Sequence, residues 1–392
     1  MQRRRVLFLE SFFGGSHRAV AEGLARHSQH SIDLYTLPAE NWRWRIRTGA
    51  LRFTERLAAE QGKSSPLYNP DARPVSLDNY DVILATDIIS ISDLRALTNG
   101  APILLYMHES QITYPLPQGQ TLDADTLFLD IRNALLADRL TFNSVFHRNR
   151  FFEEVRSACS RAPEDESDML SERLISTLEA RSAVLYPGCE LGGLVPSQHT
   201  NEEASSEHTR GPLIIWNHRW QFDKNPAPFF RTLERLSLEG WAFRVALLGE
   251  SPQVHPREFE AAQRSLAHHI VHAGYIEDRA AYERVLASGD VVVSTSIQEN
   301  FGISIVEATA AGCLPLLPAR LSYPEIIPAE YHELCLYESN LHLTRRLRTL
   351  LRDGVPRPPG LIQAMRRFDW QALIAAYDRD INEAAGAPRE QP

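Results

Sequence analysis

The stretch DVVVSTSIQENFGISIVEA, which runs from Asp290 to Ala308, decides the fold class of this chain. Its β-branched start predicts a buried parallel strand, and the pattern after Gly302 predicts a helix. Glu299 and Glu307 lie on either side of this strand-to-helix turn, with seven residues between them. Backbone N–H groups at such a turn suit an anion such as a nucleoside diphosphate, while the two carboxylates suit sugar and ribose hydroxyls. The alternative is a solvated helix face on which glutamates favour the helix dipole.

A second segment, LIIWNHRWQFDKNPAPFF from Leu213 to Phe230, predicts a strand followed by a polar turn that carries Arg219 and Lys224. The chain contains two lysines against 39 arginines, so lysine at this turn reflects either chance or a chemical requirement. Arginine can grip one phosphate as a fork, while lysine presents a compact charge to the next phosphate. Because both residues follow a strand on a polar turn, we expect their replacement to leave the fold intact.

Apolar runs that alternate with helical stretches predict an α/β chain in two halves. In the first half the predicted strands are Arg5–Leu9, Ile32–Leu37, Asp81–Ala85, Ile103–His108, Leu140–Asn143 and Ala183–Tyr186. In the second half they are Leu213–Trp216, Phe243–Leu248, Ile270–Ala273, Asp290–Thr295, Cys313–Leu317 and Glu333–Tyr337. Nearly continuous Val, Ile and Leu in these runs predict parallel sheets covered on both faces.

This pattern predicts how the chain divides into domains. We expect an N-terminal Rossmann-like domain over residues 1–190 and a second over 212–369, joined by a linker at 191–211 that is rich in Gly, Ser, Glu and Pro. A C-terminal segment, 370–392, is expected to form a helix and a tail.

Composition favours a large enzyme without a membrane span. The 392 residues are 43% hydrophobic and 23% charged, which is enough for two separate cores. The chain has no long uncharged apolar run, and Glu10 interrupts the first apolar stretch, so we expect neither a signal peptide nor a membrane partner. The four cysteines have no paired spacing, which is typical of reduced thiols and favours a cytoplasmic location.

The net charge of −9 is spread unevenly along the chain. Residues 1–56 carry ten arginines and five acidic residues, whereas residues 153–207 carry twelve acidic residues and four arginines. A basic surface and an acidic segment can therefore coexist, and the total charge does not exclude a nucleic-acid partner.

Two features of the first half are candidates for ligand binding. Gly14 and Gly15 follow the first predicted strand and would let backbone amides approach a phosphate or sugar closely, although a tight turn that needs a positive φ has equal standing. His108 ends a predicted strand, and Asp87 ends its neighbour. Ligands of open α/β sheets bind beyond the carboxyl ends of the strands, whereas an isolated histidine is more often a core or surface residue.

Asp123 and Asp125 form a D-x-D, which is a candidate metal site. At the end of a buried strand, two such carboxylates can hold a divalent cation against a diphosphate. Here the D-x-D precedes a helical stretch, Leu127–Ala137, so the residues are expected to cap that helix. We expect no essential metal, because Arg219, Lys224 and a helix N-terminus can neutralise a leaving diphosphate.

Together, the glutamate motif and the Arg219 and Lys224 turn resemble the donor site of retaining glycosyltransferases of the GT-B fold. That fold has two Rossmann-like domains with parallel sheets facing a central cleft. In it a C-terminal helix crosses back onto the first domain, so the resemblance implies the same for the helix of segment 370–392. Further blocks resemble the tRNA-queuosine alpha-mannosyltransferase family; they are ESFFGGSH (10–17), YTLPAENWRWRIRTGALRF (35–53), YMHESQITYP (106–115), FNSVFH (142–147) and SYPEIIPAEYH (322–332).

The resemblance implies roles for residues on both halves. It implies transfer of mannose from GDP-mannose, with retention of configuration, to the cyclopentene-diol of queuosine in tRNA of the tRNA-Asp type. His108 and Glu299 would be catalytic. Donor binding would involve Gly14, Gly15, Arg219, Lys224, Glu307 and the stretch Asn300, Phe301, Gly302 and Ile303. Within this set Glu307 would hold the ribose, Arg219 and Lys224 the diphosphate, and Glu299 the hexose.

The acceptor assignment rests on the block NWRWRIRTGALRF, with Trp42, Arg43, Trp44, Arg45 and Arg47. Arginines can neutralise phosphates while tryptophans stack on exposed bases, as an anticodon loop requires. Alternatively, the two tryptophans alternate as in a half-buried strand.

Two other functions remain compatible with the residues. A GT-B transferase that acts on a lipid, a glycan or a small molecule would share every donor motif. A non-catalytic tRNA-binding protein is less compatible, because the donor residues Arg219, Lys224, Glu299 and Glu307 are all present. No obligate protein partner is evident from the sequence.

Overall fold

The computed structural model describes residues 2–69, 72–115, 124–160, 172–196, 211–249 and 257–386. The chain divides into two compact units. The first runs from the N-terminus to Gly188 and includes the chain from Trp370 onward, and the second is Cys189–Asp369. No helix within the described ranges is long and apolar enough to cross a bilayer.

The first unit is built on a parallel sheet of six strands. The strands of this sheet are β1 (Arg5–Phe13), β2 (Ser31–Pro38), β4 (Val82–Thr86), β6 (Ile103–Met107), β7 (Arg139–Phe142) and β8 (Ser182–Val184). Two short strands, β3 (Val75–Ser76) and β5 (Thr98–Asn99), form a separate parallel pair. The six run in the order β2-β1-β4-β6-β7-β8. Helices of this part of the chain are α1 (Gly15–His27), α2 (Trp42–Glu60), α3 (Ile91–Leu97), α4 (Ala124–Leu136), α5 (Val145–Cys159) and α6 (Glu172–Ala180).

Successive residues of β1 enter two different cores. Leu7 and Leu9 pack into one apolar cluster, and Val6 and Phe8 into another on the opposite face. All four side chains are fully buried. Since neighbouring side chains of a strand point to opposite faces, both faces of the sheet must be covered. The prediction of parallel sheets buried on both faces is confirmed here.

The second unit repeats this plan. Its strands are β9 (Leu213–Trp216), β10 (Arg244–Leu247), β11 (Ile270–Ala273), β12 (Val291–Val293), β13 (Leu314–Pro318) and β14 (Leu336–Tyr337), all parallel in the order β11-β10-β9-β12-β13-β14. Its helices are α7 (Pro226–Leu238), α8 (Arg257–Ser265), α9 (Arg279–Ala287), α10 (Ile303–Ala310), α11 (Tyr323–Ile326), α12 (His332–Cys335), α13 (Asn340–Asp353) and α14 (Pro359–Met365). The strand expected over Glu333–Tyr337 is wrong at its start, because α12 occupies the residues before β14.

The last helix, α15 (Trp370–Ala385), belongs to the first unit. The Trp370 side chain is buried there. Asp380 accepts hydrogen bonds from Arg139 and from the Thr141 hydroxyl, the latter at 2.7 Å. Ser28 donates to Asp378 at 2.6 Å. Polar contacts in the second half of the helix therefore hold it to β7 and to the end of α1.

Two expectations about irregular segments need correction. Leu191 and Leu194 are buried within the second unit, so the first part of the expected linker is packed structure. The rest of that linker, 197–210, lies outside the described residues. The strand-like alternative for Trp42 and Trp44 is wrong, because the chain is helical from Trp42 onward.

Candidate functional site

The loop between β12 and α10 carries Glu299 and is held by the residues that follow β13. The Ser322 hydroxyl lies 2.7 Å from the Phe301 carbonyl oxygen, to which it donates, and 3.2 Å from the Glu299 carbonyl oxygen. The buried Tyr323 hydroxyl bonds to the hydroxyl of Ser294 at 2.7 Å. These contacts give the 322–332 block a structural role, which is to position the glutamate loop.

Gly302 ends that loop with a φ of 109°, a conformation that side-chain-bearing residues rarely adopt. It allows α10 to begin at Ile303 immediately after the loop. Phe301 is buried, and the side-chain oxygen of the buried Asn300 accepts a hydrogen bond from Gln298 at 3.1 Å. The Asn300 and Phe301 side chains therefore shape the loop from inside.

Lys224 contacts Glu299 directly. Its ammonium group donates to the Glu299 carboxylate at 3.2 Å and to the Gln298 carbonyl at 2.9 Å, and it lies 3.2 Å from the Asp223 carboxylate. Lys224 is only 7% exposed, so the expectation that its replacement leaves the fold intact does not hold for this residue. Burial lowers its pKa, but the two carboxylates outweigh burial and the net pKa is raised, so the side chain is charged at neutral pH. The structure thus joins the two motifs that the sequence shows separately.

Arg219 differs from Lys224, because it is exposed on the turn that follows β9. Its main-chain carbonyl accepts the N–H of Gln221 at 2.8 Å, which closes the turn. Just before it, His218 is buried, and its pKa is lowered well below the usual value by burial and then by the charges of Lys224 and Arg219. The turn therefore combines one exposed cation with a buried neutral imidazole and a buried cation.

Glu307 is buried on α10 and is held by two residues of α9. Arg279 donates to one carboxylate oxygen at 2.6 Å, and the Tyr282 hydroxyl donates to the other at 3.0 Å. Sequence reasoning missed both residues, since neither belongs to a motif. The one available signal was their spacing of three, which places two residues on the same face wherever the chain is helical.

In the first unit, backbone conformation and packing both require glycine at the Gly14 and Gly15 turn. Gly15 has a φ of 51°, in the left-handed region that favours glycine, and begins α1. At Gly14 an added Cβ would lie 2.6 Å from the Cβ of Ala39, so a side chain is excluded by packing. Structural need alone thus accounts for both glycines, and their donor role stays a prediction.

His108 lies just after β6 and is fixed through its backbone. Its N–H donates to the buried Asp87 carboxylate at 2.8 Å, and its carbonyl accepts from Asn143 at 2.7 Å. Burial, followed by the nearby His17 and His147, lowers the pKa of His108 well below the usual value. His108 therefore presents a neutral imidazole. Burial also raises the pKa of Asp87 to about 7.

The His108 ring stacks on that of His17, with centroids 4.0 Å apart. His17 in turn bonds through Nδ1 to both oxygens of the fully buried Glu10, at 3.2 Å each. Burial lowers the pKa of His17, but Glu10, with smaller effects from Asp87 and Glu109, outweighs it and raises the pKa to about 9. The result is a buried ion pair stacked on a neutral imidazole.

Glu10, His17 and His108 could also hold a metal ion, since each offers a ligand atom and these atoms lie within 4.8 Å of one another. In this structure, however, Nδ1 of His17 is engaged by both carboxylate oxygens. Parallel stacking of the two rings also differs from the convergent geometry of metal ligands. We therefore describe the group as an ion pair. Of the D-x-D, Asp125 lies in the first turn of α4, and Asp123 lies outside the described residues.

The basic block forms the first turns of α2, and the structure separates its members. Arg43, Trp44 and Arg47 are exposed, with Trp44 at 72%. Trp42 is half-buried, and the Arg43 guanidinium lies 5.3 Å from its ring centroid. Arg45 is buried and donates to the Pro38 carbonyl at 3.2 Å, so it does not share the exposed surface.

The two units offer different chemistry at the carboxyl ends of their strands. The second presents an exposed arginine, a buried lysine and two held carboxylates next to a helix N-terminus, a combination suited to a diphosphate and vicinal hydroxyls. The first presents a neutral histidine beside a buried ion pair.

Comparison with known proteins agrees with this division. Residues 5–189 match the family described as tRNA-queuosine alpha-mannosyltransferase N-terminal, and residues 197–367 match the glycosyl transferases group 1. A sucrose-phosphate synthase from Thermosynechococcus elongatus has a similar structure, with 15% identity, a TM-score of 0.69, and coverage of 99% of this chain and 100% of that one. The catalytic domain of starch synthase IV from Arabidopsis thaliana has 13% identity, a TM-score of 0.65, and coverage of 98% and 100%. These likenesses show the GT-B fold.

A curated relative carries the comparison beyond the fold. The tRNA-queuosine alpha-mannosyltransferase of Drosophila melanogaster is 31% identical over 348 residues, which cover 87% of this chain and 85% of that protein. The glycosyl transferases group 1 match, the donor-type residues of the second unit and this relative all identify a glycosyltransferase. This chain therefore belongs to the tRNA-queuosine alpha-mannosyltransferase family.

Proposed function

We propose that this enzyme transfers mannose from GDP-mannose to the cyclopentene-diol of queuosine in tRNA, with retention of configuration. The observation that carries the proposal is the match of residues 5–189 to the family-specific N-terminal half. Donor residues of the second unit occur in many sugar transferases, whereas that half is named for queuosine mannosyltransferases. The 31% identical relative bears the same name.

In the proposed donor site, Arg219 reaches the diphosphate from its exposed position and Lys224 adds charge from below. Glu299, held by Lys224, accepts hydrogen bonds from the hexose together with the amides that lead into α10. Glu307 accepts the ribose hydroxyls. This assignment is supported by the direct Lys224–Glu299 contact, because it couples the group that neutralises the phosphate to the group that orients the sugar.

In the proposed transfer step, the bond between the anomeric carbon and the diphosphate oxygen breaks. A bond to the acceptor oxygen forms on the same face of the sugar, and the acceptor proton passes to the departing diphosphate. His108, neutral and fixed, contacts the reacting sugar. We propose that the two cations and the N-terminus of α10 stabilise the leaving group without an essential metal, and that the reaction takes place in the cytoplasm.

For the acceptor, we propose that the exposed Arg43, Trp44 and Arg47 contact tRNA. The three side chains lie within two turns of one helix, so a phosphate contact and a base-stacking contact can form side by side. Arg45 is not part of this surface, because it is buried.

The deciding experiment incubates the purified chain with GDP-mannose and with tRNA that contains or lacks queuosine, followed by mass spectrometry of the nucleosides. We expect hexose addition to queuosine only, and no addition from UDP-glucose. Equal activity on tRNA without queuosine, or transfer only to a lipid, glycan or small molecule, would overturn the acceptor. Binding of queuosine tRNA without any transfer would indicate a non-catalytic protein.

A matched pair of variants tests the role of Glu299 in the same assay. Glu299→Gln keeps a hydrogen-bond acceptor beside Lys224 but loses the charge, so we expect turnover to fall about 100-fold while GDP affinity changes about twofold or less. Glu338→Gln, an exposed glutamate outside the site, should behave like the wild type. Equal losses of turnover and GDP affinity would move Glu299 away from the sugar.

A further inference from the structure

The Glu307 carboxylate is held by two donors from one helical face. Arg279 is the first residue of α9, and Tyr282 lies one turn further along. Arg279 Nη1 donates to Oε1 at 2.6 Å, and the Tyr282 hydroxyl donates to Oε2 at 3.0 Å. The Glu307 side chain is 10% exposed, so its orientation depends on these two contacts.

The same hydrogen bonds extend to the diphosphate turn, which is the turn after β9 that carries Arg219 and Lys224. Asn217, two residues before Arg219, donates from Nδ2 to the Tyr282 hydroxyl at 2.6 Å and to the Ser304 carbonyl at 3.2 Å. Ser304 lies in the first turn of α10. A continuous series of hydrogen bonds thus joins the end of β9, the start of α10 and the carboxylate of Glu307.

Arg279 is itself held in place on both sides. Its Nη2 donates to the Glu190 carbonyl at 3.2 Å, and its Nε donates to the Glu283 carboxylate at 2.7 Å. A guanidinium fixed by three partners can orient a carboxylate more narrowly than a mobile surface arginine can.

Each carboxylate oxygen can accept two hydrogen bonds, and here each already accepts one from Arg279 or Tyr282. One acceptor position on each oxygen therefore remains for the two hydroxyls of a ribose. We propose that Arg279 and Tyr282 are positioning residues that set the Glu307 carboxylate for a ribose diol, and that Asn217 links them to the diphosphate turn. This inference rests on the proposed role of Glu307.

The test compares binding of GDP with binding of 2′,3′-dideoxy-GDP by calorimetry. Wild-type protein should prefer GDP. Arg279→Ala should reduce that preference about tenfold, and Tyr282→Phe should reduce it about threefold, because each removes one fixed hydrogen bond to Glu307. Affinity for the dideoxy nucleotide should stay unchanged in both variants, which a general structural defect would not produce.

Arg284→Ala is the matched control, because this arginine lies on the same helix and its side chain is 72% exposed. It should keep the wild-type preference. In turnover assays Arg279→Ala should raise the KM for the donor and leave kcat within about twofold, as expected for lost ground-state and transition-state binding alike.

An unchanged preference in Arg279→Ala would overturn the inference. Tighter GDP binding by that variant would also overturn it, because Arg279 would then occupy the place of the ribose. Loss of the preference in a protein that fails to mannosylate tRNA would support the positioning role while removing the proposed acceptor.

Discussion

Lys224 carries a positive charge in a nearly dry site, with Asp223 and Glu299 each 3.2 Å from its ammonium group. Removal of one partner of a buried ion pair typically costs about 3–5 kcal/mol, because the remaining charge stays desolvated. We therefore expect Lys224→Ala to lower the free energy of unfolding by this order and to abolish donor use. Urea denaturation and GDP calorimetry measure the two effects separately.

Arg219→Ala separates donor binding from stability and is compared with Lys224→Ala. Because Arg219 is exposed, its loss should leave the unfolding curve unchanged while weakening GDP binding about tenfold. A Lys224→Ala protein as stable as the wild type would contradict the buried ion pair. An Arg219→Ala protein with unchanged GDP affinity would remove Arg219 from the diphosphate.

His17 makes stability depend on pH. Its folded pKa of about 9 lies above the unfolded value of 6.5, so its ion pair with Glu10 stabilises the fold fully below pH 6.5 and loses that contribution as the pH rises through about 9. The contribution is of the order of 3 kcal/mol at most. We expect His17→Gln to be less stable than the wild type at pH 6.5 and the difference in melting temperature to shrink by pH 10.

His268→Gln controls for general effects of losing a histidine, since His268 is exposed. The melting temperature of His268→Gln should stay close to that of the wild type from pH 6.5 to pH 10. A stability gap for His17→Gln that is constant from pH 6.5 to pH 10 would show that the His17 charge contributes nothing.

At the scale of the element, the first turns of α2 carry the proposed tRNA surface. Replacing Arg43 and Arg47 with alanine should weaken tRNA binding and flatten its salt dependence by about one to two units of log–log slope, since each lost phosphate contact releases about one counterion fewer. GDP binding should not change. Filter binding at several salt concentrations measures the slope.

Arg56 on the same helix offers the control. Its guanidinium pairs with Glu60 at 3.0 Å and lies 4.3 Å from the Tyr35 ring centroid, so Arg56→Ala should leave the salt slope unchanged. If Arg56→Ala and the double variant weakened tRNA binding alike, the contact would not be confined to the start of α2. Arg45 is left out of the double variant because its burial would confound binding with stability.

At the scale of the whole molecule, stability of the first unit depends on the last helix of the chain. Asp380 on α15 accepts hydrogen bonds from Thr141 and Arg139 on β7. Asp380→Ala should reduce the free energy of unfolding by about 2 kcal/mol, because a buried charge-assisted contact is lost. Thermal unfolding measures this loss of stability. Asp353→Ala is the control, because Asp353 is exposed. Equal losses of stability in the two variants would contradict a stabilising role of the Asp380 contacts.

The strands and the glutamate motif were predictable because they depend on the order of residues within short segments of the chain. Apolar runs such as Val291–Val293 and Leu213–Trp216 form strands with nearly the predicted bounds, since burial on both faces needs continuous hydrophobic residues. The start of α2 was not predictable in the same way. Alternating tryptophans fit a strand pattern, and only the packing of Arg45 and Ile46 shows which helical face is buried.

The sequence by itself determined the fold class, the parallel sheets and the polar residues at the strand ends, because these follow from residue type and spacing along the chain. Tertiary structure alone decided that Lys224 is buried against Glu299, 75 residues away, and that Arg279 holds Glu307, 28 residues away. It also decided that His17 stacks on His108. Such contacts join separate elements, and the desolvation that sets the charge of each group exists only after those elements have packed together.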